Sequence, residues 1–325
     1  MALLTKNVKS DRILISAVSG DIGGGVARIF SDEGIETFGC DSSPDPSSIK
    51  YLKSFFEAPL ASKGSVYIDW IVDLCEREKI STFLPTNELE IAVVSPFIWK
   101  FEKQNIKVLI NNPKIVATFS DKLTTTEFLR NELNIPAPKS VLLSEFTDQI
   151  PFPLIIKPRR GRGSKSVFQA TSSLDINYIR QKFPDEEFVV QECVGSPDEE
   201  YTTAVFSDGH QTSTITFRRT LGFGGLSREV TYVRDSLMDV MGAKIASDLR
   251  LRGSINIQTR KVNGRHFVFE INPRISSTAI FRHFFGFKDV IWWFISAHGK
   301  EYTYVPKYRA GIGKRLLCEV YFHLE

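Results

Sequence analysis

Cysteine is scarce in this sequence, and its spacing argues against both disulfides and a zinc site. The four cysteines lie far apart, at positions 40, 75, 193 and 318, and no two of them form a C-x-x-C pair. Widely spaced thiols of this kind are typical of a reducing compartment. The five histidines include no H-E-x-x-H motif, so a zinc hydrolase has no support. We therefore expect a cytoplasmic protein.

Long apolar runs and a strong charge of one sign are also lacking. The longest apolar run lies at residues 290–297, far short of the roughly 20 residues that span a membrane. The N-terminal residues carry no apolar segment typical of a signal peptide. A formal net charge of +3 predicts no basic surface for nucleic acid. We expect neither a membrane nor a nucleic-acid partner, and 42% hydrophobic residues suffice for a large core.

The first hundred residues alternate between strand and helix patterns. Short apolar runs rich in β-branched residues predict strands at 12–18, 35–39, 82–84 and 107–110. Helical spacing of apolar residues predicts helices at 23–33 and 66–79. This alternation is typical of an α/β fold with an open parallel sheet covered by helices. We predict such a Rossmann-like domain over residues 1–110.

The pattern changes near residue 111. Two helical stretches, 114–119 and 121–133, are followed by prolines that end the helix. Longer strands come next, with hairpin signals at Asp208-Gly209 and Asn263-Gly264. We predict an α+β region with largely antiparallel sheets. Its linker helices and small lobe would occupy residues 111–188, and its large lobe residues 189–325.

A glycine-rich turn, residues 19–25, joins the first predicted strand to the first helix. Backbone N–H groups at such a turn can face an anion, and Asp41 lies where a dinucleotide-binding fold carries a ribose-binding acid. The spacing G-x-x-G-G-G differs from the dinucleotide fingerprint G-x-G-x-x-G, which weakens a dehydrogenase interpretation. Two interpretations stay open: a tight turn for close helix packing, and a substrate-binding turn.

A basic, glycine-rich loop follows a predicted strand that ends in Lys157. The loop, residues 158–166, leads into another predicted strand at 167–170. Glycines let the backbone approach a ligand closely, and Arg and Lys side chains neutralise phosphate charge. The loop therefore predicts a lid over phosphates, although it is not a Walker A loop. A solvated charged hairpin is the alternative.

The strongest local signal is the segment Phe269-Glu-Ile-Asn-Pro-Arg274. Alternate residues of a strand share a face, so Glu270 and Asn272 project together. Their oxygens are the ligands that Mg²⁺ prefers, with phosphate and water completing its coordination. Arg274 adds a cation suited to phosphate oxygens. We predict a metal site here, with a solvated strand face as the alternative.

Turn geometry decides whether Gln258 joins this site. A two-residue turn at 263–264 would send Gln258 to the face opposite Glu270. A three-residue turn over 262–264 would place Gln258 across from Val268 and on the face of Glu270. We predict the three-residue turn, and with it a shared metal site.

In combination, these segments resemble the ATP-grasp superfamily. The motifs occur in the family's order: Asp121-Lys122, Ile156-Lys157, the basic glycine-rich loop, Val190-Gln-Glu-Cys-Val194, Glu200-Tyr-Thr and Glu270-Ile-Asn-Pro-Arg274. The Asn256-Ile-Gln258 segment is most similar to the carbamoyl-phosphate-synthetase-like branch. The resemblance runs from near residue 111 to the C-terminus, and the N-terminal part resembles the domain that precedes it in the family.

The resemblance implies a set of ATP-binding residues. Lysines would contact the phosphates, the glycine-rich loop would close as a lid, and the strand between the lobes would face adenine. The matching residues are Lys122, Lys157, Gly161, Gly163, Ser164, Gln191, Glu192, Val194 and Glu200. Glu200 resembles the ribose-binding acid, with Glu199 as the alternative because the preceding loop is one residue longer than usual.

The resemblance also implies the metal and catalytic groups. Gln258, Glu270 and Asn272 would hold Mg²⁺, with Mn²⁺ as a substitute. Arg274 would steady the transferred phosphoryl group or the acyl phosphate, and Lys157 would neutralise charge beside it. Phosphoryl transfer needs mostly positioning and charge neutralisation, which such a set supplies.

Two segments are candidates for the acceptor substrate. Arg218 or Arg219 resembles the family segment beside the acceptor, and either can bind a carboxylate through two hydrogen bonds; a strand edge is the alternative. Thr86 and Glu88 follow a predicted parallel strand, where ligands bind at carboxyl ends. Capping of the helix that starts near Glu88 is the alternative there.

These features predict a Mg-ATP-dependent ligase of the carboxylate–amine type that forms an acyl phosphate and ADP. Its partners would be a small-molecule carboxylate and a nucleophile, with a homodimer left open. The alternatives are a bicarbonate- or carbamate-phosphorylating protein similar to carbamoyl phosphate synthase, an ATP-binding regulatory protein without turnover, and a dehydrogenase.

Overall fold

The computed structural model describes residues 11–43, 47–161, 166–300 and 302–316. Its first sheet has five strands: β1 (Arg12–Ser16), β2 (Glu36–Asp41), β3 (Ser54–Glu57), β4 (Thr82–Leu84) and β5 (Lys107–Val108). They are parallel, in the order β3-β2-β1-β4-β5. The predicted parallel sheet is confirmed, and β3 is an edge strand that the sequence pattern did not predict.

Helices cover both faces of this sheet. They are α1 (Asp21–Asp32), α2 (Ser65–Arg77), α3 (Glu88–Val94) and α4 (Ile98–Lys103). On β1, Ile13 and Ile15 pack in the same core as Phe30 of α1, whereas Leu14 packs in a second core with Ile68 of α2. Burial on both faces explains why the strand is a nearly continuous apolar run.

The second sheet is small and antiparallel. It follows helices α5 (Pro113–Phe119) and α6 (Lys122–Glu127), the latter continued by a π-helical turn at Phe128–Glu132. Its elements are β6 (Ser140–Leu142), β7 (Leu154–Pro158), β8 (Phe168–Ala170), α7 (Ser173–Lys182) and β9 (Phe188–Glu192). The strand order is β6-β9-β7-β8. This sheet and α7 enclose a separate apolar core that includes Leu154, Ile176 and Phe188.

The third sheet is antiparallel and has six strands in the order β14-β13-β10-β11-β12-β15. Its elements are β10 (Glu200–Ser207), β11 (Thr212–Leu221), β12 (Ser227–Val233), α8 (Ser236–Asp248), β13 (Gly253–Val262), β14 (Arg265–Asn272), α9 (Ala279–Phe284), α10 (Asp289–Ala297) and β15 (Ile312–Lys314). The antiparallel region predicted after the parallel sheet is confirmed.

The predicted three-residue turn between β13 and β14 is wrong, because the turn has two residues, 263–264. Gln258 nevertheless lies directly across from Glu270, and not from Val268. Phe269 is the extra residue of a β-bulge, which shifts the register by one residue. The bulge therefore places Gln258 and Glu270 on one face, the outcome that the sequence analysis assigned to the turn.

One face of the third sheet is apolar at one end of its strands and polar at the other. On β10, Ala204 and Phe206 belong to the core shared with the first sheet, whereas Glu200 and Thr202 on the same side line a cleft. The apolar end of this face thus fixes the third sheet against the first, and its polar end is left for a ligand.

Helices α1, α9 and α10 fill the space between the first and third sheets. Trp292 and Trp293 are buried there, and the rings of Phe30 and Phe294 meet edge to face at 5.4 Å. The division into domains at residues 110 and 188 stays a prediction. Within the part of the chain that the structure describes, every helix is too short or too polar to cross a bilayer.

Candidate active site

A cleft of about 840 Å³ is lined by residues of the second and third sheets and by residues that follow β1 and β4 of the first sheet. The predicted site residues that line it are Thr86, Glu88, Lys122, Lys157, Gly161, Gln191, Glu192, Val194, Glu200, Arg219, Gln258, Glu270, Asn272 and Arg274. Gly163 and Ser164, predicted for the lid, lie outside the described residues. The structure thus brings together side chains that are far apart in the sequence, while their individual roles stay predictions.

Lys157, at the end of β7, is a buried cation of the cleft. Its ammonium donates to Gln191 Oε1 at 2.8 Å and to the carbonyl oxygen of Phe269 at 3.2 Å. Burial lowers the pKa of Lys157 from its usual 10.5 to about 8; the Glu270 carboxylate opposes this shift and the Lys122 charge adds to it. The side chain is therefore a cation that gains from an incoming anion.

The strand β9 supplies the residues predicted to face adenine. Gln191 accepts from Lys157 and donates through Nε2 to Ser140 Oγ at 2.9 Å, which fixes its amide. Glu192 accepts from the backbone N–H of Lys139 at 3.1 Å. Gln191 is thus a buried support for Lys157, and Glu192 joins β9 to the chain before β6.

Asp121 ties the base of the basic loop to α6. It caps this helix by accepting from the backbone N–H groups of residues 123 and 124, and its other oxygen accepts from Arg159 at 2.8 Å and Arg160 at 3.3 Å. Burial acts to raise the pKa of Asp121, but the backbone hydrogen bond from Thr124 and the Arg159 charge hold it below its usual value. Lys122, the next residue, donates to the carbonyl of Gly161 at 2.8 Å.

Sequence reasoning missed this role of Asp121. The available signal was its position just before a helix, where Asp commonly caps. Its contacts with arginines almost 40 residues later have no local signature.

Gln258, Glu270 and Asn272 form the predicted set of oxygen donors. Among the described residues, no hydrogen bond or ion pair engages the Glu270 carboxylate. Gln258 Oε1 accepts from Arg219 at 2.7 Å, and Asn272 Oδ1 accepts from Arg274 at 3.3 Å. Each amide oxygen keeps a second lone pair.

This donor set fits a hard cation. One carboxylate and two amide oxygens suit Mg²⁺ or Mn²⁺ when phosphate oxygens and water complete the coordination. No cluster of three or more Asp, Glu, His or Cys side chains suited to a metal occurs in the described ranges. A metal at this face would therefore depend on the amides and on a phosphate ligand.

Glu200 lies in the cleft, and Glu199 does not line it. The Glu200 carboxylate accepts from Arg219 at 2.7 Å and from Arg260 at 3.1 Å. Glu199 instead accepts from the Tyr201 hydroxyl at 2.7 Å. Of the two alternatives for the ribose-binding acid, the geometry favours Glu200. Arg260, which the sequence analysis did not single out, holds it in place.

Arg218 and Arg219 point to opposite sides of β11, because side chains alternate along a strand. Arg219 is buried and lines the cleft. Arg218 lies outside the cleft lining, where it donates to the carbonyl of Asp198 at 2.8 Å and pairs with Glu199 at 3.4 Å. Of the two alternatives, the cleft lining favours Arg219 over Arg218, and the contact with substrate stays a prediction.

Arg274 and Glu88 meet at the end of the cleft beside the first sheet. Arg274 Nε donates to Glu88 Oε1 at 3.0 Å, and its Nη1 donates to the carbonyl of Ile275 at 2.9 Å. Asn87 caps α3 by accepting from the backbone N–H of Leu89 at 2.9 Å. The capping alternative is thus confirmed for Asn87, while Glu88 itself reaches across to Arg274.

The glycine turn after β1 is tightly packed. Asp41 accepts from the backbone N–H groups of Ser19 at 2.9 Å and Ser43 at 3.0 Å, one to each oxygen. A Cβ on Gly23 would lie 2.3 Å from the carbonyl oxygen of Ala17. These contacts support the tight-turn interpretation and occupy Asp41 within the turn. The turn also lines the cleft, so a substrate contact there stays a prediction.

Known proteins are similar to this chain in sequence and in fold. Residues 119–278 match the family model described as the ATP-grasp domain. The carbamoyl phosphate synthase large chain of Methanosarcina mazei is 24% identical over 287 aligned residues, which cover 77% of this chain and 25% of that protein. This chain thus spans about a quarter of the length of that relative.

Two solved structures illustrate the shared fold. The biotin carboxylase domain of Hydrogenobacter thermophilus 2-oxoglutarate carboxylase, in complex with MgADP, ADP and bicarbonate, has a TM-score of 0.73 and 15% identity. The match covers 93% of this chain and 73% of that one. N5-carboxyaminoimidazole synthetase from Staphylococcus aureus, complexed with ADP, has a TM-score of 0.71 at 14% identity, covering 90% and 78%. At these identities the likeness concerns the fold alone. Since the family model also matches, this chain contains an ATP-grasp domain, which occupies residues 119–278.

Proposed function

We propose that this protein is a Mg-ATP-dependent ligase of the carboxylate–amine type. A carboxylate oxygen attacks the γ-phosphorus of ATP, the bond to ADP breaks, and an acyl phosphate forms. An amine nitrogen then attacks the acyl carbon, inorganic phosphate leaves, and loss of a proton gives the amide. The observation that carries the proposal is that the Glu270 carboxylate, which no described residue engages by a hydrogen bond or ion pair, shares one cleft with the buried Lys157 ammonium.

The chain's own residues divide the work. Lys157 on β7 and Lys122 at the start of α6 bind and orient the phosphate oxygens of ATP. Glu270, Asn272 and Gln258 would hold Mg²⁺, which neutralises phosphate charge when it is bound. Arg274 stands two residues beyond Asn272 and would hold the transferred phosphoryl group or the acyl phosphate.

The cleft lining comes from different parts of the fold. Lys157 lies on the small sheet and Lys122 on α6, whereas Thr86 and Glu88 follow β4 of the first sheet, and Glu88 reaches the donor set through Arg274. Glu88 binds Arg274 through Oε1 and keeps Oε2 as an acceptor for an amine. We therefore place ATP at the small sheet, and the carboxylate and amine substrates at the first sheet.

Bicarbonate is the second candidate for the phosphorylated carboxylate. The similarity to a carbamoyl phosphate synthase large chain favours it, and the H. thermophilus biotin carboxylase domain was solved with bicarbonate bound. In that case carboxyphosphate would be the acyl phosphate, and the amine would yield a carbamate.

The experiment is a turnover assay with Mg-ATP and a panel of amino acids, other carboxylates and bicarbonate. We expect a carboxylate to stimulate release of ADP and inorganic phosphate, and Glu270→Ala to abolish this release while the fold is kept. Glu229→Ala, which removes an exposed carboxylate on β12, is the matched control and should retain activity.

Products other than ADP and inorganic phosphate would contradict the proposed ligase reaction. AMP and pyrophosphate would indicate adenylation, and full turnover in Glu270→Ala would remove the assigned site. Tight ATP binding without ADP release for any carboxylate would favour the regulatory alternative.

A further inference from the structure

A buried ion pair, Arg282 with Asp289, lies behind two hydroxyl residues that line the cleft. The side chains of Arg282 and Asp289 are each 1% exposed. Arg282 donates to Asp289 through Nε at 3.2 Å and through Nη2 at 2.8 Å, and Ser254 Oγ donates to the same carboxylate at 2.7 Å. Two parallel bonds to a carboxylate fix the plane of the guanidinium. Its remaining nitrogen, Nη1, therefore has a fixed direction.

Arg282 Nη1 points at two hydroxyls. It donates to Ser276 Oγ at 2.7 Å and to Thr278 Oγ1 at 3.1 Å, and the two hydroxyl oxygens lie 2.8 Å apart. Since a guanidinium donates and never accepts, each hydroxyl must use one lone pair for Arg282. When Thr278 donates its proton to Ser276, both lone pairs of Ser276 are filled. Ser276 must then donate its own proton elsewhere.

The acceptor for that proton is Asn256. Ser276 Oγ lies 3.0 Å from Asn256 Oδ1, and Thr202 Oγ1 donates to the same oxygen at 2.8 Å. Both lone pairs of Asn256 Oδ1 are thus occupied, which fixes the side-chain amide with its nitrogen turned the other way. No described residue accepts from Asn256 Nδ2, and Asn256 lines the cleft.

The position of this amide identifies what it would bind. Asn256 pairs directly with Asn272 in the sheet register and lies two residues before Gln258 on the same face. Its Nδ2–H groups are therefore next to the donor set proposed for Mg²⁺. A fixed donor in a partly buried cleft is suited to an oxygen on which negative charge develops.

We infer that Asn256 Nδ2 binds an oxygen of the phosphoryl group during its transfer, and that Arg282 is the positioning residue that orients this amide. The inference rests on the proposed function and deepens it. The hydrogen-bond chain from Asp289 through Arg282, Ser276 and Asn256 sets the orientation before any ligand arrives, so no reorganisation is needed at the moment of transfer.

The test compares the binding of two complexes by calorimetry: Mg-ADP alone, and Mg-ADP with aluminium fluoride, which mimics the phosphoryl group in transfer. Asn256→Asp keeps the shape of the side chain and replaces the donor nitrogen by oxygen. We expect it to weaken the aluminium fluoride complex by about 100-fold, on the scale of a lost oxyanion donor. The affinity for Mg-ADP should change by less than about threefold, because the inferred contact is with the transferred group and not with ADP.

Substitutions of Thr278 test the positioning role while both hydrogen bonds between Arg282 and Asp289 are kept. Thr278→Val removes the proton that orders the chain and should weaken the aluminium fluoride complex by about tenfold, the scale of one lost hydrogen bond. Thr278→Ser keeps the hydroxyl and should restore wild-type affinity. Thermal unfolding of each variant is the control that checks whether the fold is kept.

Either of two results would overturn the inference. Wild-type affinity of Asn256→Asp for the aluminium fluoride complex would show that Asn256 Nδ2 makes no such contact. Equal losses for Mg-ADP and for the aluminium fluoride complex would show a merely structural role. If the wild-type protein bound neither complex, the proposed function itself would fail, which is a different and recognisable outcome.

Discussion

Arg274, two residues beyond β14, forms an ion pair with Glu88, the first residue of α3, across 186 residues of sequence. Their side chains are 11% and 25% exposed, so water screens the pair only in part. The pair therefore neutralises Arg274 at the cleft and also fixes its direction. Four predictions follow from this contact and from three other features of the site.

The first prediction concerns this pair. Glu88→Ala leaves a partly buried guanidinium without its partner, and we expect it to destabilise the protein by about 2 kcal/mol. Asp248→Ala breaks an exposed pair with Lys244 on α8 and should cost less than about 0.5 kcal/mol. Thermal unfolding of both variants is the measurement. Equal shifts in melting temperature would contradict the structural role of Glu88.

The second prediction concerns pH. Lys157 has a pKa of about 8 in the free protein, and phosphate binding needs its cation. We expect the affinity for Mg-ADP, measured by calorimetry, to fall as pH rises through 8, by up to about tenfold per pH unit. Lys157→Arg keeps a charge at every pH in this range and should flatten the profile. An unchanged slope in Lys157→Arg would assign the titration to another group.

The same pKa has a consequence for stability. The native Lys157 loses its proton near pH 8, whereas the unfolded chain keeps it until about 10.5. The unfolded state thus binds more protons between these values, so this group makes the free protein more stable as pH rises through that window. Lys157→Met should remove this part of the pH dependence of the melting temperature.

The third prediction compares the two arginines of β11. Arg219→Ala removes the buried partner of Glu200 and Gln258. We expect it to weaken Mg-ADP binding at least about tenfold, because a charged hydrogen-bond partner is lost at both residues. Arg218→Ala is the adjacent control outside the cleft and should bind Mg-ADP as the wild type does. Equal losses in the two variants would contradict the placement of Arg219.

The fourth prediction concerns the glycines of α1. A Cβ on Gly23 would meet the backbone of Ala17 at 2.3 Å, whereas a Cβ on Gly25 meets its nearest atom, on Ile280, at 3.7 Å. Gly23→Ala should therefore destabilise the protein by about 1–3 kcal/mol. Gly25→Ala should be neutral or stabilise it by up to about 1 kcal/mol, because alanine favours helix. The measurement is thermal unfolding of the two variants. A Gly23→Ala variant as stable as the wild type would contradict this packing.

Local patterns were enough to predict four of the five strands of the first sheet, β1, β2, β4 and β5, and to place Glu270 and Asn272 on one strand face. The alternation around Glu270 and Asn272 is a property of any strand, and the strand that ends at Lys157 is marked by its apolar run. The edge strand β3 was missed, since its four residues show neither alternation nor a long apolar run.

Long-range contacts could not be predicted in the same way. The bulge at Phe269 follows from pairing between two strands, so the turn residues alone gave the wrong register. The contacts of Glu88 with Arg274 and of Asp121 with Arg159 depend on how distant segments pack. Strand alternation places Arg218 and Arg219 on opposite sides, but only the fold shows which side faces the cleft.

The separate core of the small sheet has a mechanical consequence. The first and third sheets share one apolar core through α1, α9 and α10, whereas the small sheet and α7 enclose their own. The small sheet meets the third through polar contacts such as that of Lys157 with the Phe269 carbonyl. A hinge motion of the small sheet would therefore break a few hydrogen bonds without exposing either apolar core to water. The side of the cleft that carries Glu270 and Arg274 would then stay fixed, and the side that carries Lys157 would move toward it.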